Sequence, residues 1–400
     1  MGERGPADPG RRPGVLMVTG AYYPELSGAG LQCRELIRQL GDAARVAVLT
    51  TTADRALPSA DERDGVPVWR VFVNPRSRWS KLAAGLRMAA ALVRERRRFS
   101  ILHLHGFSQK SIVLVLFGLL TGKRIAVKLT SIGHDDPASM RDRGGMAFWC
   151  YSRAHVFFGV SPRFRSIYES SELPRDRFRL IPNGVDLARF SPASSADRRA
   201  LRARLGIAAD VPMLLFVGFF SREKCPDVLF EAWTRMAAAG DHTSVLVFVG
   251  GNRPGYYEVD PSLADQIRVR AGQLSLEGRL RFVDSTQEIE TYYRAADIFV
   301  MPSVREGLPN ALLEAMACGL ACVATRLEGV TDTILDDGAS GILVPPRDVP
   351  ALTTALVALV GDPARARSMG ARAREHVART YSAATTAQQY LAAYRDMQAS

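Results

Sequence analysis

The chain contains few cysteines and histidines for its 400 residues, which limits the metal and disulfide chemistry that it can carry. Its five cysteines are odd in number and scattered. Such a set predicts reduced thiols and a cytoplasmic protein rather than a disulfide framework. Cys318 and Cys322 lie close together but have no histidine beside them in the sequence, so we expect no metal ion there.

The sequence also lacks a long hydrophobic run. The longest apolar stretch, residues 112–120, is too short to cross a bilayer. Residues 1–12 are polar and rich in glycine and proline, which is typical of a disordered lead rather than of a signal peptide. We therefore expect a soluble or peripheral protein.

Positive charge is in excess, with 52 Lys and Arg against 41 Asp and Glu, and this favours anionic partners such as nucleotides or phospholipid surfaces. The sequence shows no aromatic-basic RNA-binding motif, no zinc-finger spacing and no recognisable helix-turn-helix. We therefore expect no nucleic-acid partner.

Chain length and periodicity predict two α/β domains. The chain is longer than one comfortable hydrophobic core, and a buried-strand pattern followed by glycines and a helix pattern occurs twice, at residues 15–40 and 213–239. Residues 190–196 have the composition of a linker. The predicted domains are residues 13–190 and 191–379.

Several residues of the first half are candidates with two open interpretations. Gly28 and Gly30 would let a ligand approach the backbone at a helix start, or they serve a plain turn. His103 and His105 share one face of a predicted strand, but no third metal ligand is visible, which favours core histidines. His134 and Asp135 follow a predicted strand, where doubly wound sheets place ligands.

A helix pattern at residues 76–99 carries basic residues at both ends and on its polar face. An ordinary solvated surface helix and a helix that contacts anionic lipid both fit this pattern.

The most informative stretch is residues 302–346, where Glu306 and Glu314 flank a Gly-Leu-Pro-Asn turn and an apolar helix pattern follows. Pro309 suits the first helical turn, since its missing N–H would have no intrahelical partner there. The backbone N–H groups of Gly307, Leu308, Asn310 and Ala311 would then form an anion site suited to a diphosphate. The alternative is that both glutamates are surface charges that compensate the helix dipole.

This segment resembles the E-x7-E signature of the retaining glycosyltransferases of family 4. The following A-C-G-x-x-x-V-A-T and G-x-x-G-x-L-V-P-P pieces, and the earlier I-P-N-G-V-D piece, resemble the same family. The resemblance implies an α/β protein of the GT-B type, with two Rossmann-like doubly wound domains facing a cleft. The first would be the acceptor side, with the C-terminal helix, residues 380–400, crossing back onto it; the second would bind the nucleotide sugar.

The resemblance further implies a metal-independent hexosyltransferase. It would move a sugar from a UDP- or GDP-linked donor to a glycan or lipid-linked acceptor, but the resemblance fixes neither the donor base nor the sugar nor the acceptor. A basic, cytoplasmic chain with an arginine-rich helix would fit a lipid-linked acceptor in cell-envelope polysaccharide or glycoconjugate synthesis, at the inner face of the membrane. Glu306 would contact the transferred sugar, the segment Gly307, Leu308, Pro309 and Asn310 the diphosphate and sugar, and Glu314 the ribose.

Two positions depart from the family pattern. In the loop that supplies an arginine and a lysine to the phosphates, Lys224 holds the lysine position, but Phe219 stands at the arginine position. Arg222 would replace that arginine, or it is a solvated loop charge. The usual T-x-H-G segment is also shifted, so His134 either takes the role of its histidine through a shifted turn or does not.

Three other functions compete with this prediction. A nucleotide-sugar 2-epimerase shares the two-domain shape, and a non-catalytic nucleotide-sugar-binding scaffold would explain the two departures. A dinucleotide oxidoreductase is disfavoured, because Cys33 stands where the fingerprint glycine is required.

Overall fold

The computed structural model describes residues 12–25, 27–74, 76–251, 259–284 and 286–399. The chain forms two compact units: the first ends at Gly184 and includes Ala383–Ser400, and the second is Val185–Ser382. The predicted disordered lead lies outside the described residues, except for Arg12. The predicted boundary at residue 190 stays a prediction; the contacts divide the chain between Gly184 and Val185.

The described residues of the first unit form a sheet of eight strands in the order β3-β4-β2-β1-β5-β6-β7-β8, parallel except for β3. The strands are β1 Gly14–Thr19, β2 Arg45–Thr52, β3 Ala60–Arg63, β4 Val66–Phe72, β5 Ile101–His105, β6 Arg124–Leu129, β7 Val156–Gly159 and β8 Phe178–Leu180. The central strands β1 and β5 are buried along their whole length, as expected for parallel strands covered on both faces.

Helices connect these strands, as parallel neighbours require. They are α1 Gly28–Leu40, α2 Arg78–Glu95, α3 Gln109–Thr121, α4 Pro137–Asp142, α5 Gly145–Tyr151 and α6 Pro162–Glu169. The helix predicted at residues 76–99 is therefore shorter at both ends. Helices α3 to α6 were not predicted; the apolar stretch at 112–120 belongs to α3, which carries a non-hydrophobic first turn and ends at Gly122 in the left-handed conformation.

The described residues of the second unit form a parallel sheet of six strands in the order β11-β10-β9-β12-β13-β14. The strands are β9 Met213–Val217, β10 Val245–Val249, β11 Leu280–Val283, β12 Ile298–Met301, β13 Ala321–Thr325 and β14 Ile342–Val344. The helices are α7 Ser195–Arg204, α8 Pro226–Ala238, α9 Pro261–Gln273, α10 Ile289–Ala295, α11 Asn310–Ala317, α12 Val349–Gly361 and α13 Pro363–Thr380.

The last helix, α14 Ala383–Ala399, belongs to the first unit. Its buried side chains Tyr390 and Tyr394 lie in the same hydrophobic cluster as Ile37 of α1 and Met17 of β1. This cluster covers one face of the first sheet. Among the described residues, none of the helices combines the length and the apolar content that a bilayer crossing requires.

Candidate functional site

In the second unit, two loops at the carboxyl ends of neighbouring strands pack backbone against backbone. Gly218 follows β9 and Gly250 follows β10, and Gly250 has φ of 141°. A Cβ atom at Gly250 would lie 2.1 Å from the carbonyl oxygen of Gly218. Only glycine fits there, because both the conformation and the close approach exclude a side chain. The β9 loop, which carries Lys224, is fixed at its start by this contact.

Lys224 and Glu306 form an ion pair between the loop after β9 and the loop after β12. The Lys224 Nζ atom lies 2.7 Å from Oε1 and 2.8 Å from Oε2 of Glu306. The Glu306 side chain is 10% exposed and that of Lys224 is 30% exposed. The structure therefore brings together the two predicted catalytic residues of this unit, at a place that a ligand can still reach.

Neighbouring contacts tie the same two loops together. The side chain of Arg305 pairs with Glu223, with Nε 3.1 Å from Oε2. The backbone N–H of Val304 donates to the Glu223 carbonyl oxygen at 2.8 Å. Glu223 thus joins the β12 loop to the β9 loop through both its side chain and its backbone.

Helix α11 begins one residue later than predicted. Pro309 is its N-cap, with an extended ψ of 101°, and the first intrahelical hydrogen bonds run from Leu312 and Leu313 to the Pro309 carbonyl oxygen. Pro309 therefore lies outside the first turn, because its ψ is not helical. The N–H groups of Asn310 and Ala311 lie in that turn, and both residues are half-buried.

Glu314 lies on α11 and receives a hydrogen bond from a residue that the sequence did not single out. The Tyr293 hydroxyl donates to Glu314 Oε2 at 2.8 Å. Tyr293 is fully buried, and its pKa is raised well above the ordinary value, first by burial and then by the Glu314 carboxylate. The hydroxyl stays protonated and orients the carboxylate. A buried tyrosine on a short helix gives no sequence signal that separates this role from core packing.

Arg222 is held by an acidic partner. Its Nε atom lies 3.2 Å from Oδ2 of Asp260, the N-cap residue of α9. The Arg222 side chain is 75% exposed. Its proposed replacement of the arginine lost at Phe219 stays a prediction.

In the first unit, Gly30 is required by packing. A Cβ atom at Gly30 would lie 2.4 Å from the Ala21 carbonyl oxygen. Its N–H donates to Oγ of Ser27, the N-cap residue of α1, at 3.0 Å. Gly28, the first residue of α1, is exposed. Packing thus explains why position 30 is a glycine. The predicted roles of Gly28 and Gly30 in binding the sugar donor stay predictions.

His134 lies in an exposed turn, whereas its neighbour Asp135 is buried. The Asp135 carboxylate accepts hydrogen bonds from the backbone of Thr130 and Ser131 and from the Thr130 hydroxyl, at 2.7 to 3.0 Å. Burial nevertheless raises the pKa of Asp135 to about 6. Asp135 organises the turn that presents His134.

His103 and His105 are both buried on β5, with ring centroids 4.4 Å apart. They share one face of the strand, as predicted. Among the described residues, no group of three or more His, Cys, Asp or Glu side chains is arranged to hold a metal ion.

Two family models match the chain. The model of glycosyl transferases group 1 matches residues 211–362, and that of the glycosyl transferase 4-like domain matches residues 27–184. The chain is also 30% identical over 405 residues to the alpha-maltose-1-phosphate synthase of Mycolicibacterium smegmatis, covering 96% of this chain and 100% of that protein. The chain belongs to the group 1 glycosyltransferases.

A second relative of this group 1 glycosyltransferase is the D-inositol 3-phosphate glycosyltransferase of Kineococcus radiotolerans. It is 38% identical over 229 residues, which are 54% of this chain and 51% of the relative. The chain spans about half the length of several relatives of that name. The predicted family is confirmed, and the names of these relatives, a glycosyltransferase and a synthase, give the epimerase alternative no support.

A solved structure confirms the predicted fold. The Anabaena protein Alr3699/HepE, solved in complex with UDP and glucose, superimposes with a TM-score of 0.79 at 18% identity, covering 96% of this chain and 99% of that chain. Each unit of the group 1 glycosyltransferase has the Rossmann-like, parallel-sheet architecture of the GT-B fold.

Proposed function

We propose that this group 1 glycosyltransferase is a retaining hexosyltransferase that uses a nucleoside-diphosphate sugar, UDP- or GDP-linked. The ion pair between Lys224 and Glu306, beside the first turn of α11, carries the proposal. The pair joins a cation to a carboxylate at the carboxyl edge of a parallel sheet, where doubly wound folds bind nucleotides.

Sugar transfer requires that the departing diphosphate be stabilised as positive charge develops on the sugar. The Lys224 ammonium and the N–H groups of the first α11 turn are fixed positive groups that fit this need without a metal ion. Glu306 holds Lys224 in place and offers its carboxylate to sugar hydroxyls. His134, in the first unit, is the third proposed catalytic group.

Glu314 would bind the ribose. Its carboxylate is oriented by the buried Tyr293 hydroxyl, and it is half-buried on the helix that follows the proposed phosphate site. An oriented carboxylate can accept hydrogen bonds from two adjacent ribose hydroxyls.

Calorimetry with UDP, GDP and their common sugar conjugates, without added metal, tests the donor site. We expect one nucleotide family to bind, and Glu314→Ala to weaken binding by about 1–3 kcal/mol, because ribose hydroxyls lose their partner. Glu375→Ala, an exposed glutamate on α13, is the matched control. Binding of no nucleotide would contradict the proposal.

Product analysis separates the enzyme from a binding scaffold. A transferase cleaves the donor slowly to the free sugar even without an acceptor, and a retaining enzyme releases the anomer that the donor carried. Proton NMR of the first product shows whether the donor is cleaved and which anomer is released. A chain that binds the nucleotide tightly but never cleaves the donor would favour the scaffold.

We also propose a lipid-linked acceptor at an anionic membrane surface, because the outer faces of three neighbouring helices are apolar. Exposed apolar residues occur on α2, α3 and α5: Trp79, Leu82, Leu86, Val93, Leu116, Leu119, Leu120, Met146 and Trp149. The four on α2 follow helical spacing on one stripe, opposite the buried Ala84, Met88 and Leu92.

Charge favours a lipid partner over a second copy of this chain. Between residues 76 and 125 the sequence has one acidic residue, Glu95, which pairs with Arg94 and Arg98. Tryptophan and leucine flanked by arginine are typical of helices that lie in an anionic membrane interface, whereas two such surfaces would repel each other. The proposed location is the cytoplasmic face of a membrane.

Vesicle sedimentation tests this surface. We expect binding to vesicles rich in phosphatidylglycerol, weak binding to phosphatidylcholine alone, and loss of binding on combining Trp79→Ser with Leu86→Ser. Val269→Ser removes a comparably exposed apolar side chain from α9 and is the control. Equal binding by both variants would overturn the membrane proposal and leave the donor site untouched.

A further inference from the structure

A lysine is buried without a counter-ion in the first unit. Lys128, on β6, is 2% exposed. In the sheet it lies beside His105 of β5 and Phe158 of β7. Its Nζ atom is 5.5 Å from the centroid of the Tyr390 ring on α14. Its backbone carbonyl oxygen accepts from the Gly106 N–H at 2.9 Å. Among the described residues, the Lys128 ammonium itself makes no ion pair and no hydrogen bond, and its polar contact is the Tyr390 ring.

Such an arrangement is costly for a folded protein. A charge that leaves water without a partner loses several kcal/mol of solvation, and here burial lowers the pKa of Lys128 to about 8. Lys123, in the same unit, shows the usual solution: its Nζ atom donates to the carbonyl oxygens of Arg96 and Phe99, at 2.6 and 2.7 Å.

The polar groups beside Lys128 are also incomplete. Both ring nitrogens of His105, Nε2 of His103 and the Tyr390 hydroxyl are buried without a hydrogen-bond partner in the described part of the chain. Burial lowers the pKa of both histidines well below the ordinary value, so each ring is neutral and carries one N–H. Orphaned buried donors are rare in native proteins, and each requires an explanation.

The ionisable neighbours do not supply a negative charge. Within the described chain, the one ionisable group whose charge would raise the pKa of Lys128 is the thiol of Cys33 on α1. Burial raises the pKa of that thiol to about 12, so it is neutral. Bound water would satisfy the orphaned donors but would not balance the ammonium charge.

The group lies close to the edge of the sheet that binds ligands in related architectures. His105 is the last residue of β5 and Lys128 precedes the last residue of β6, so both lie near the carboxyl edge of the first sheet. This is the edge at which open α/β sheets bind ligands.

We propose that Lys128, with His105 and the Tyr390 hydroxyl, binds an anionic group, a phosphate or a carboxylate, carried by the acceptor. The ammonium supplies the charge, and the imidazole N–H and the phenol supply hydrogen bonds, which are the donors that phosphate and carboxylate oxygens require. The assignment to the acceptor rests on the proposed function. The binding of an anion does not.

Thermal unfolding of the full chain tests the anion site. We compare inorganic phosphate with chloride at equal ionic strength, without nucleotide. Phosphate should raise the Tm of the native chain by a few degrees, since a ligand of the folded state stabilises it. Lys128→Met should lose the part of the shift that this site contributes, while phosphate at the proposed donor site still contributes the rest, and Lys123→Met should retain the full shift. An unshifted native Tm, or a full shift in Lys128→Met, would overturn the proposal.

A second variant guards against a folding defect. Tyr390→Phe removes only a hydroxyl and should reduce the phosphate shift, and a full shift would remove Tyr390 from the site. Glycerol 3-phosphate and acetate identify the source of the anion. A larger shift with an organic anion than with phosphate supports an acceptor group, whereas an equal shift overturns that assignment. Because nucleotide binding is measured separately, failure of this site is distinguishable from failure of the donor site.

Discussion

One buried cation in each unit can be compared, and the two differ in how many polar partners the fold gives them. Arg202 of α7 and Lys128 of β6 are both 2% exposed. Arg202 pairs with Asp297 and donates to backbone carbonyl oxygens, among them those of Ala295 at 2.9 Å and Val211 at 2.8 Å. Lys128 has none of these partners in the described chain. The fold itself supplies the partners of Arg202 but supplies none to the ammonium of Lys128, which fits the ligand proposed for Lys128.

The same difference holds at the carboxyl edges of the two sheets. In the second unit, Lys224 is paired with Glu306, and Tyr293 with Glu314. In the first unit, His105 is buried with both ring nitrogens unpartnered. The side chains at the carboxyl edge of the second sheet therefore hold one another in place before a donor binds. At the carboxyl edge of the first sheet, the missing hydrogen-bond partners would come from the proposed ligand.

The largest expected effect is on stability at the saturated cation. Arg202→Met should lower the free energy of unfolding by about 3–5 kcal/mol, because it removes the buried cationic partner of Asp297 and leaves several carbonyl oxygens without their donor. Urea unfolding measures this. Arg198→Met removes a more exposed partner of the same carboxylate and should cost clearly less. Equal costs would mean that burial of Arg202 does not set its contribution.

The next effect is on activity at the paired edge. Glu306→Gln should lower the transfer rate by about 10²–10³, which is about 2.7–4 kcal/mol of transition-state stabilisation, because it removes both the sugar contact and the carboxylate that positions Lys224. Steady-state kinetics with the identified donor measures this. Glu290, on α10, forms a comparable ion pair with Arg189. Glu290→Gln breaks this pair and should retain the transfer rate. A similar loss in both variants would point to a general structural effect.

The sequence singled out the residues at the carboxyl edge of the second sheet, but it did not single out Lys128 at the edge of the first sheet. A local pattern of loop, glycine and helix start contains Glu306, Lys224 and Glu314. Such a pattern can be recognised from a single sequence. Lys128 was not singled out, since nothing in the neighbouring sequence shows that β6 buries its side chain. Tyr293 was missed for the same reason: its contact with Glu314 depends on the packing of α10 against α11, which periodicity does not report.

The ends of strands and helices could likewise be predicted only where the local sequence marks them. Strand β9 begins at residue 213, where the second predicted pattern begins, because a continuous apolar run starts there. The short helices α4, α5 and α6 lack a long periodic pattern and were missed. Pro309 was placed one residue too far into α11, because the sequence does not show whether its ψ angle is helical.

The pH dependence of stability sharpens the contrast between the two cations. Burial lowers the pKa of Lys128 from 10.5 to about 8, so between these values the unfolded chain binds more protons than the folded chain. Stability contributed by this group therefore rises as the pH increases from 8 towards 10.5. Lys128→Met should remove about 2 kcal/mol of that rise. Urea unfolding at pH 8 and pH 9.5, compared as a difference between variant and native chain, isolates the effect, and identical slopes would contradict it.

The smallest expected effect concerns the orientation of Glu314. Tyr293→Phe removes one hydrogen bond while keeping the buried ring, so the affinity for the nucleotide should fall by about 1 kcal/mol, roughly a factor of five. Its neighbour Tyr292, which is only half-buried, provides the matched control Tyr292→Phe, which should bind as the native chain does. If Tyr293→Phe also binds normally, the carboxylate is oriented by α11 itself. The second edge would then owe its order to the helix rather than to paired side chains, and the contrast with Lys128 would rest on Lys224 and Glu306 alone.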